Sequence, residues 1–334
     1  MRLRFVKCHG SGNDFPLVDA RGLALDDGEW ATAARALADR AGPVGGDGLL
    51  LLTEGDGTHA FGMRMFNPDG SEAETCLNGL RCVARAGFKA LGVDRALVRL
   101  RSSDAAVARD AEVSPGVHTI EERAGPAGLD VRDWPMRIKE SVEGRRLVDA
   151  VVPALSEALR FTAVAMPNPH LVHFADRIDE AELVRVGLLC EAAPPWLPNR
   201  ANVSFVEVRP GGAPRSSTSS GPQGGLFVRT HERGAGLTDA CGSAMAASAF
   251  AAGLTGRVPF GTAITVWNRG GPVRARAEAT GMVTLSGNAT FEWQGEAELV
   301  DGRIAGLVVL RRFEEETRAW EVALANNGAD PASA

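Results

Sequence analysis

The sequence predicts an α/β (α+β) protein built from two similar halves, and three observations lead there. The chain has 334 residues, enough for two domains of about 150 residues each. Short apolar runs bounded by glycine, proline and asparagine outnumber the helical stretches. Each half also holds the same local event, a cysteine set where a glycine-rich loop turns into a small-residue helix. The two stretches are FNPDGSEAETCLNGLRCVARAGFKALG at 66–92 and RTHERGAGLTDACGSAMAASAFAAG at 229–253.

The elements follow in chain order. LRFVKCHG (3–10) reads as a strand, SGNDF (11–15) as a glycine loop and PLVDA (16–20) as a second strand. EWATAARALADR (29–40) has helical spacing. GLLLLT (48–53) and AFGMRMF (60–66) are short buried strands, and VRLRSS (98–103) follows the Cys76 helix. In the second half RFTAVAMPNPHLVHF (160–174) gives two strands around a Pro-Asn-Pro turn, and EAELVRVGLLCEA (180–192) is an amphipathic helix. NVSFVEVR (202–209) and GLFVRTHERG (225–234) are strands that lead into the Cys241 helix. TAITVWN (262–268), GPVRARAEA (271–279) and MVTLSGNATFEWQGEAEL (282–299) alternate like strands. Gly92 and Gly253 stand where C-caps would end the two cysteine-led helices. Each half has one alanine-rich helix that reads as buried all round. GGAPRSSTSSGPQGG (211–225) reads as a mobile surface loop, RRFEEETRAWEVALANN (311–327) as a terminal helix and ADPASA as a frayed tail.

Apolar residues make up 45% and charged residues 23%, with a net charge of −6 and basic residues scattered, so no nucleic-acid partner is expected. No apolar run approaches the roughly 18 residues of a membrane helix, and the opening MRLRFVKCHGSGNDF lacks a signal-peptide core. No membrane partner and a cytoplasmic location are therefore expected. Five cysteines in no framework spacing are read as thiols. Cys76 and Cys82 are spaced too widely for a Cys-x-x-Cys pair, so no metal is expected. Cys8, Cys82 and Cys190 lack a glycine-rich helix opening and read as packing thiols.

A thiol has a free pKa of about 8.5, which a helix N-terminus lowers to roughly 3.5–7.5. The same N–H groups grip a carboxylate. A lone cysteine near a helix start is ordinarily a small buried filler. Two of them, each in a glycine-rich opening, suit a reaction that needs a base on one side of a carbon and an acid on the other. Inverting an amino-acid α-carbon is such a reaction. The expected partner is a small-molecule amino-acid substrate.

At these residues the sequence resembles the diaminopimelate epimerases, which implies a reaction with no cofactor. KCHGSGNDF is similar to that family's K-x-H-G-x-G-N-D-F, and FNPDGSEAETCLNGLRC to its F-N-x-D-G-S-E-x-x-x-C-G-N-G-x-R-C. MPNPH, RANVSF and ERGAGLTDACGSA resemble its G-N-P-H, R-A-N-I-x-F and E-R-G-x-G-x-T-x-A-C-G-[ST]-G. The resemblance implies two pseudo-symmetric domains, each a curved or barrel-like mixed sheet around a central helix, with the active site between them. It divides the chain into 1–120, 121–287 and an extension, 300–334, with a strand at about 288–299 returning to the first domain. It implies Cys76 and Cys241 as the acid/base pair, His170 as the polar partner of Cys76, and Glu232 beside Cys241 receiving the substrate ammonium. Leu77 with Asn78, and Gly242 with Ser243, would offer N–H groups to the reacting carboxylate. Asn13, Asn67, Asn168, Asn202 and Arg233 would hold the rest of the substrate, Arg233 as a two-toothed grip on the distal carboxylate. A homodimer is one assembly open to it, and the sequence does not fix the oligomeric state.

Five positions depart from the family pattern. Leu77 and Ala244 stand where glycine is usual, Pro167 precedes Asn168, His231 precedes Glu232 where tyrosine is common, and Asn288 follows Gly287 where proline is usual. A positive φ at Leu77 would cost roughly 1–2 kcal/mol. The leading reading is epimerisation of LL- to meso-diaminopimelate, serving lysine and cell-wall synthesis. The alternative is a racemase of the same fold acting on another amino acid such as histidine. A single-thiol dehydratase or hydrolase, or an inactive binding protein, fits less well, because both thiols, Glu232 and Arg233 are present.

Overall fold

The computed structural model describes residues 1–73, 76–132, 136–137, 145–166, 168–209 and 224–326. Pro167, nearly all of the 211–225 stretch and the ADPASA tail lie outside the described residues. Among those described, no helix is long and apolar enough to cross a membrane.

The chain divides into two compact units, Met1–Glu122 with Ser286–Ala334, and Arg123–Leu285. The first unit begins with β1 (Arg2–Gly10), β2 (Asn13–Asp19), α1 (Asp27–Leu37), β3 (Leu49–Glu54) and β4 (Phe61–Phe66). It continues with α2 (Leu77–Leu91), β5 (Arg95–Arg99), β6 (Asp104–Asp110) and β7 (Thr119–Ala124), in which the chain passes into the second unit. That unit carries β8 (Ala150–Val152), β9 (Ser156–Ala165), β10 (Pro169–Phe174), α3 (Glu180–Glu191), β11 (Asn202–Arg209) and β12 (Gly225–Glu232). Then come β13 (Gly236–Thr238), α4 (Gly242–Leu254), β14 (Ala263–Asn268), β15 (Gly271–Ala277) and β16 (Val283–Asn288). The first unit resumes with β17 (Thr290–Val300), β18 (Arg303–Arg312) and α5 (Glu314–Asn326).

The two units repeat one topology. In the first, β1 pairs antiparallel with β2, β2 parallel with β3, β3 antiparallel with β4, β4 parallel with β5 and β5 antiparallel with β6. In the second, β9, β10, β11, β12, β14 and β15 pair in the same sequence of senses. Each parallel step is bridged by a helix, α1 and α2 in one unit and α3 and α4 in the other, as parallel neighbours require.

Sequence alternation sorts the helices onto two faces. In β3, Leu50 and Leu52 join the core around α2, whereas Leu49 and Leu51 join the core around α1. All four are buried, and a fully buried leucine contributes about 1.5–3 kcal/mol. That is why the run reads LLLL rather than alternating with polar residues. α2 packs on β1 to β6, and α4 packs on β9 to β12 and β15, so each is the central helix of its sheet. α4 is apolar on every side and its described side chains are mostly buried. α2 differs from the expectation, because Lys89, Ala90 and Leu91 at its end are exposed. The α2 face turned to the sheet is what the apolar spacing secures.

Other expectations shift. The strand anticipated at 98–103 is Arg95–Arg99, and Leu100 bonds Ser103 in a hairpin turn instead. Asn13–Phe15 are strand rather than loop, because a two-residue turn, Ser11-Gly12, closes β1 on β2 directly. α1 begins two residues early, where Asp26 and Glu29 form a reciprocal capping box, and it ends at Leu37. Gly92 is a left-handed C-cap at φ 69°. Gly253 is not a C-cap: α4 runs through it to Leu254, and Thr255 caps the helix. The extension at 300–334 contributes β18 and α5 to the first unit. There Glu316 pairs with Arg85 and Trp320 lies 5.7 Å from the His9 ring.

Gly253 exists for proximity, since a Cβ there would stand 2.3 Å from the Phe260 ring. Gly253→Ala gains about 1 kcal/mol in helix propensity but meets an overpacking cost of about 1–3 kcal/mol. A net loss of stability is expected, read as a lower urea midpoint at unchanged m-value. A raised midpoint would show that the ring yields freely.

Candidate active site

Each central helix starts at its cysteine. Cys76 is the N-cap of α2, in extended backbone (φ −150°, ψ 103°), and its Sγ accepts the Gly79 N–H at 3.3 Å. The thiol thus fills the role that serine or aspartate usually takes. Leu77 is the first helical residue and its φ is not positive, so its N–H is presented without strain. The leucine in place of glycine leaves that N–H intact.

The β1–β2 turn comes close to this cap. A Cβ at Gly10 would meet the Asn78 carbonyl oxygen at 2.5 Å, so only glycine permits the approach. Ser11 and Gly12 both have positive φ (53° and 80°). Ser11 is held there by two bonds: its N–H donates to Asn288 Oδ1 at 2.7 Å, and its Oγ accepts from Arg81 Nη2 at 3.1 Å. Asn288, where proline was expected, therefore buttresses the turn. Just past the turn, Asn13 Oδ1 accepts from Cys76 Sγ at 3.7 Å and from Asn78 Nδ2 at 3.5 Å. Asn67 donates to Ser71 Oγ at 2.9 Å in a turn after β4.

Under this cluster lies a wholly buried ion pair, Arg81 with Glu122 at 2.8 Å. Arg81 also donates to Asn78 Oδ1 at 2.8 Å and to the Asn288 carbonyl at 3.1 Å. Burial pushes the Glu122 carboxyl up to about 7, against the pull of the Arg81 charge. Neither Arg81 nor Glu122 was anticipated. Arg81 sits two residues after Gly79 on the inner face of a helix, and a charge in that apolar pattern was the available signal.

In the second unit Cys241 is the N-cap of α4 (φ −136°, ψ 108°), with Ser243 Oγ 3.5 Å from its sulfur. The expected lowering of a helix-capping thiol is reversed here. Burial holds Cys241 well above the ordinary thiol value, the Glu232 carboxylate adds to it, and the Ser243 hydroxyl and Ala244 N–H only partly oppose it. Desolvation removes more from the thiolate than the first turn returns. Cys241 is a protonated thiol in the ligand-free protein.

Around it, Glu232 ends β12 and accepts from Thr238 Oγ1. His170 and Asn202 sit opposite one another on β10 and β11. His170 Nε2 lies 3.0 Å from Asn168 Oδ1 and 3.2 Å from Ser243 Oγ. Burial, aided by the Arg233 charge, lowers His170 to about 3, so the ring is neutral. Asn202 Oδ1 accepts the Arg233 N–H at 3.0 Å, and the exposed Arg233 guanidinium donates to the Asn199 carbonyl. His231 is buried on α3, where a Cβ at Gly187 would stand 2.3 Å from its ring. Ala244 is a buried helix residue. Asn13, Cys76, Leu77 and Asn78 are thus grouped in the first unit, and Asn168, His170, Asn202, Glu232, Arg233, Cys241, Gly242 and Ser243 in the second. Cys8, Cys82 and Cys190 are buried in cores, and burial pushes Cys190 up to about 12.

The family described as Diaminopimelate epimerase matches residues 5–121 and 162–292. This chain belongs to the diaminopimelate epimerase family. It is an isomerase of that family by descent. The diaminopimelate epimerase of Clostridium acetobutylicum is 35% identical, over 96% of this chain and 93% of its own length. That of Enterococcus faecalis is 36% identical, over 90% and 91%. Among solved structures, a phenazine biosynthesis protein of Bacillus anthracis has a TM-score of 0.62 at 12% identity and covers 90% of this chain and 100% of its own. A hydroxyproline epimerase of Agrobacterium vitis has 0.56 at 12%, covering 93% and 92%. These two share the fold.

The Glu232 charge is a direct cause of the raised Cys241 value, so Glu232→Gln should lower it. Alkylation of Cys241 by iodoacetamide near pH 8, followed by peptide mass spectrometry, should then accelerate several-fold, approaching tenfold if the shift reaches one unit. An unchanged rate would mean that burial alone sets this thiol.

Proposed function

We propose that the chain interconverts LL- and meso-diaminopimelate, using Cys76 and Cys241 as acid/base groups, one on each face of the α-carbon. The observation that carries this is the pair of cysteine N-caps. Each places a sulfur beside first-turn N–H groups that can hold an α-carboxylate and the enolate charge that develops on it.

A two-base inversion needs one sulfur charged and the other protonated at the start. The protonated state of Cys241 supplies the acid. Cys76 then takes the α-proton in that direction, and its bond from the Gly79 N–H strengthens as the sulfur becomes charged. In the reverse direction the roles exchange. Leu77 and Asn78 would offer N–H groups to the carboxylate from one helix start, and Gly242 and Ser243 from the other. Glu232 would receive the ammonium, and neutral His170 would act as the polar partner of Cys76. Arg233 would hold the distal carboxylate with Asn13, Asn67, Asn168 and Asn202 around the distal carbon. That polar set favours a substrate with a charged far end over a plain apolar amino acid.

Proton NMR in D₂O tests the reading, using reduced enzyme with LL-diaminopimelate beside a panel of other L-amino acids including histidine. Loss of the α-proton signal from diaminopimelate alone is expected. Cys76→Ala and Cys241→Ala should each slow it by about 10²–10⁴-fold, the range for one acid/base group. Exchange in another amino acid with diaminopimelate silent would keep the mechanism and change the substrate. Full exchange in either alanine variant would sink the two-thiol mechanism.

A further inference from the structure

Asn13 is a carboxamide, and its two ends do opposite things. Its oxygen faces the Cys76 sulfur at 3.7 Å and the Asn78 Nδ2 at 3.5 Å. Its NH₂ donates to Asp47 Oδ2. A carboxylate only accepts, so an amide that meets Asp47 must turn its nitrogen that way. The next amide is fixed from the other side. Asn78 Oδ1 accepts from Arg81 Nη2 at 2.8 Å, and a guanidinium only donates, so the Asn78 nitrogen must face Asn13. The order is carboxylate, amide, amide, guanidinium, with every dipole pointing the same way. Glu122 closes the chain behind Arg81.

Asp47 is itself held. It accepts the Asp14 N–H at 3.1 Å and pairs with Arg40, and its own N–H donates to the Asp14 carbonyl at 2.7 Å. Arg40 also pairs with Asp14, which pairs with Lys7. Arg40 and the Asp14 backbone hold Asp47 in place.

We propose that Asp47 is a positioning residue for Cys76, fixing the Asn13 carboxamide so that its oxygen, and not its NH₂, faces the thiol. This rests on Cys76 acting as an acid/base group. The sulfur then has an acceptor for its proton in Asn13 Oδ1 and a donor to its lone pair in the Gly79 N–H. A group that must both give and take a proton is served by having both partners. Without Asp47 the amide is free to turn and present N–H to the sulfur, which favours thiolate and impairs the proton-returning half of the cycle.

The test reads Cys76 in the substrate-free protein, in a Cys241→Ala background. It is the pH dependence of iodoacetamide alkylation at Cys76, followed by peptide mass spectrometry. Asp47→Asn and Asp47→Ala should each lower the apparent pKa of Cys76, by about one unit. Asn13→Ala should lower it too, and adding either Asp47 change to Asn13→Ala should produce no further shift. A shift fully additive with Asn13→Ala would mean that Asp47 acts by its charge alone, and no shift in a folded variant would mean that it does not act; either overturns the proposal. If both Asp47 variants fail to fold, the Asn13 side-chain amide protons of the intact protein decide. Downfield, exchange-protected signals support the clamp and solvent-like exchange overturns it. No epimerase activity is needed for these readouts, so they stand whether or not diaminopimelate is the substrate.

Discussion

A helix that begins inside a sheet starts with N–H groups that have no carbonyl of their own and little water to replace one. In this protein two helices begin that way, at Cys76 and at Cys241, and most else is arranged around those beginnings. The first turn of α2 is met by its own cysteine sulfur and by the tight turn of β1 and β2. That demand explains Gly10 and the left-handed Ser11. It also explains a buried Arg81 that ties both amide and carbonyl groups of the neighbourhood together. A structure that spends buried charge to steady one helix end gains a fixed set of donors where a carboxylate can rest.

The two caps are alike in backbone and unlike in electrostatics. The Cys76 sulfur has a first-turn N–H and an amide oxygen beside it, whereas Cys241 has a hydroxyl, a carboxylate and deep burial. Repetition of topology has not meant repetition of the groups that surround each sulfur. Unlike surroundings fit the two-thiol inversion proposed above, in which the two sulfurs would start each turnover in opposite states.

Much of this was legible in the sequence. The cysteine-led helices announce themselves through glycine before and small residues after, and the four-leucine strand through its lack of any polar face. What was hidden depended on contacts distant in sequence. Gly253 looks like a helix stop locally, yet it is a helix interior made small by Phe260. The loop read at 11–15 shrinks to the Ser11-Gly12 turn, with Asn13–Phe15 in strand, and Ser11 is held there by Asn288, 277 positions away. The rule that a helix start lowers a thiol failed at Cys241 because burial, invisible in a local window, outweighs it. Asp47 escaped notice because an aspartate among glycines reads as a turn, and only its neighbour Asn13 gives it meaning.

The architecture also has a bearing on the order in which the chain assembles. β1 is paired on one side with β2 and on the other with β17, whose residues lie almost 300 positions later, as Arg2 beside Glu298 shows. Everything from Arg123 to Leu285 belongs to the other unit. At about 5–20 residues per second, those 163 residues (285 − 123 + 1) occupy a ribosome for roughly ten to thirty seconds. During that time one edge of β1 is without its ladder partner, and by the end of it the contiguous unit has its own strands. The inserted unit is thus expected to fold first, and the unit that opens the sequence to close last.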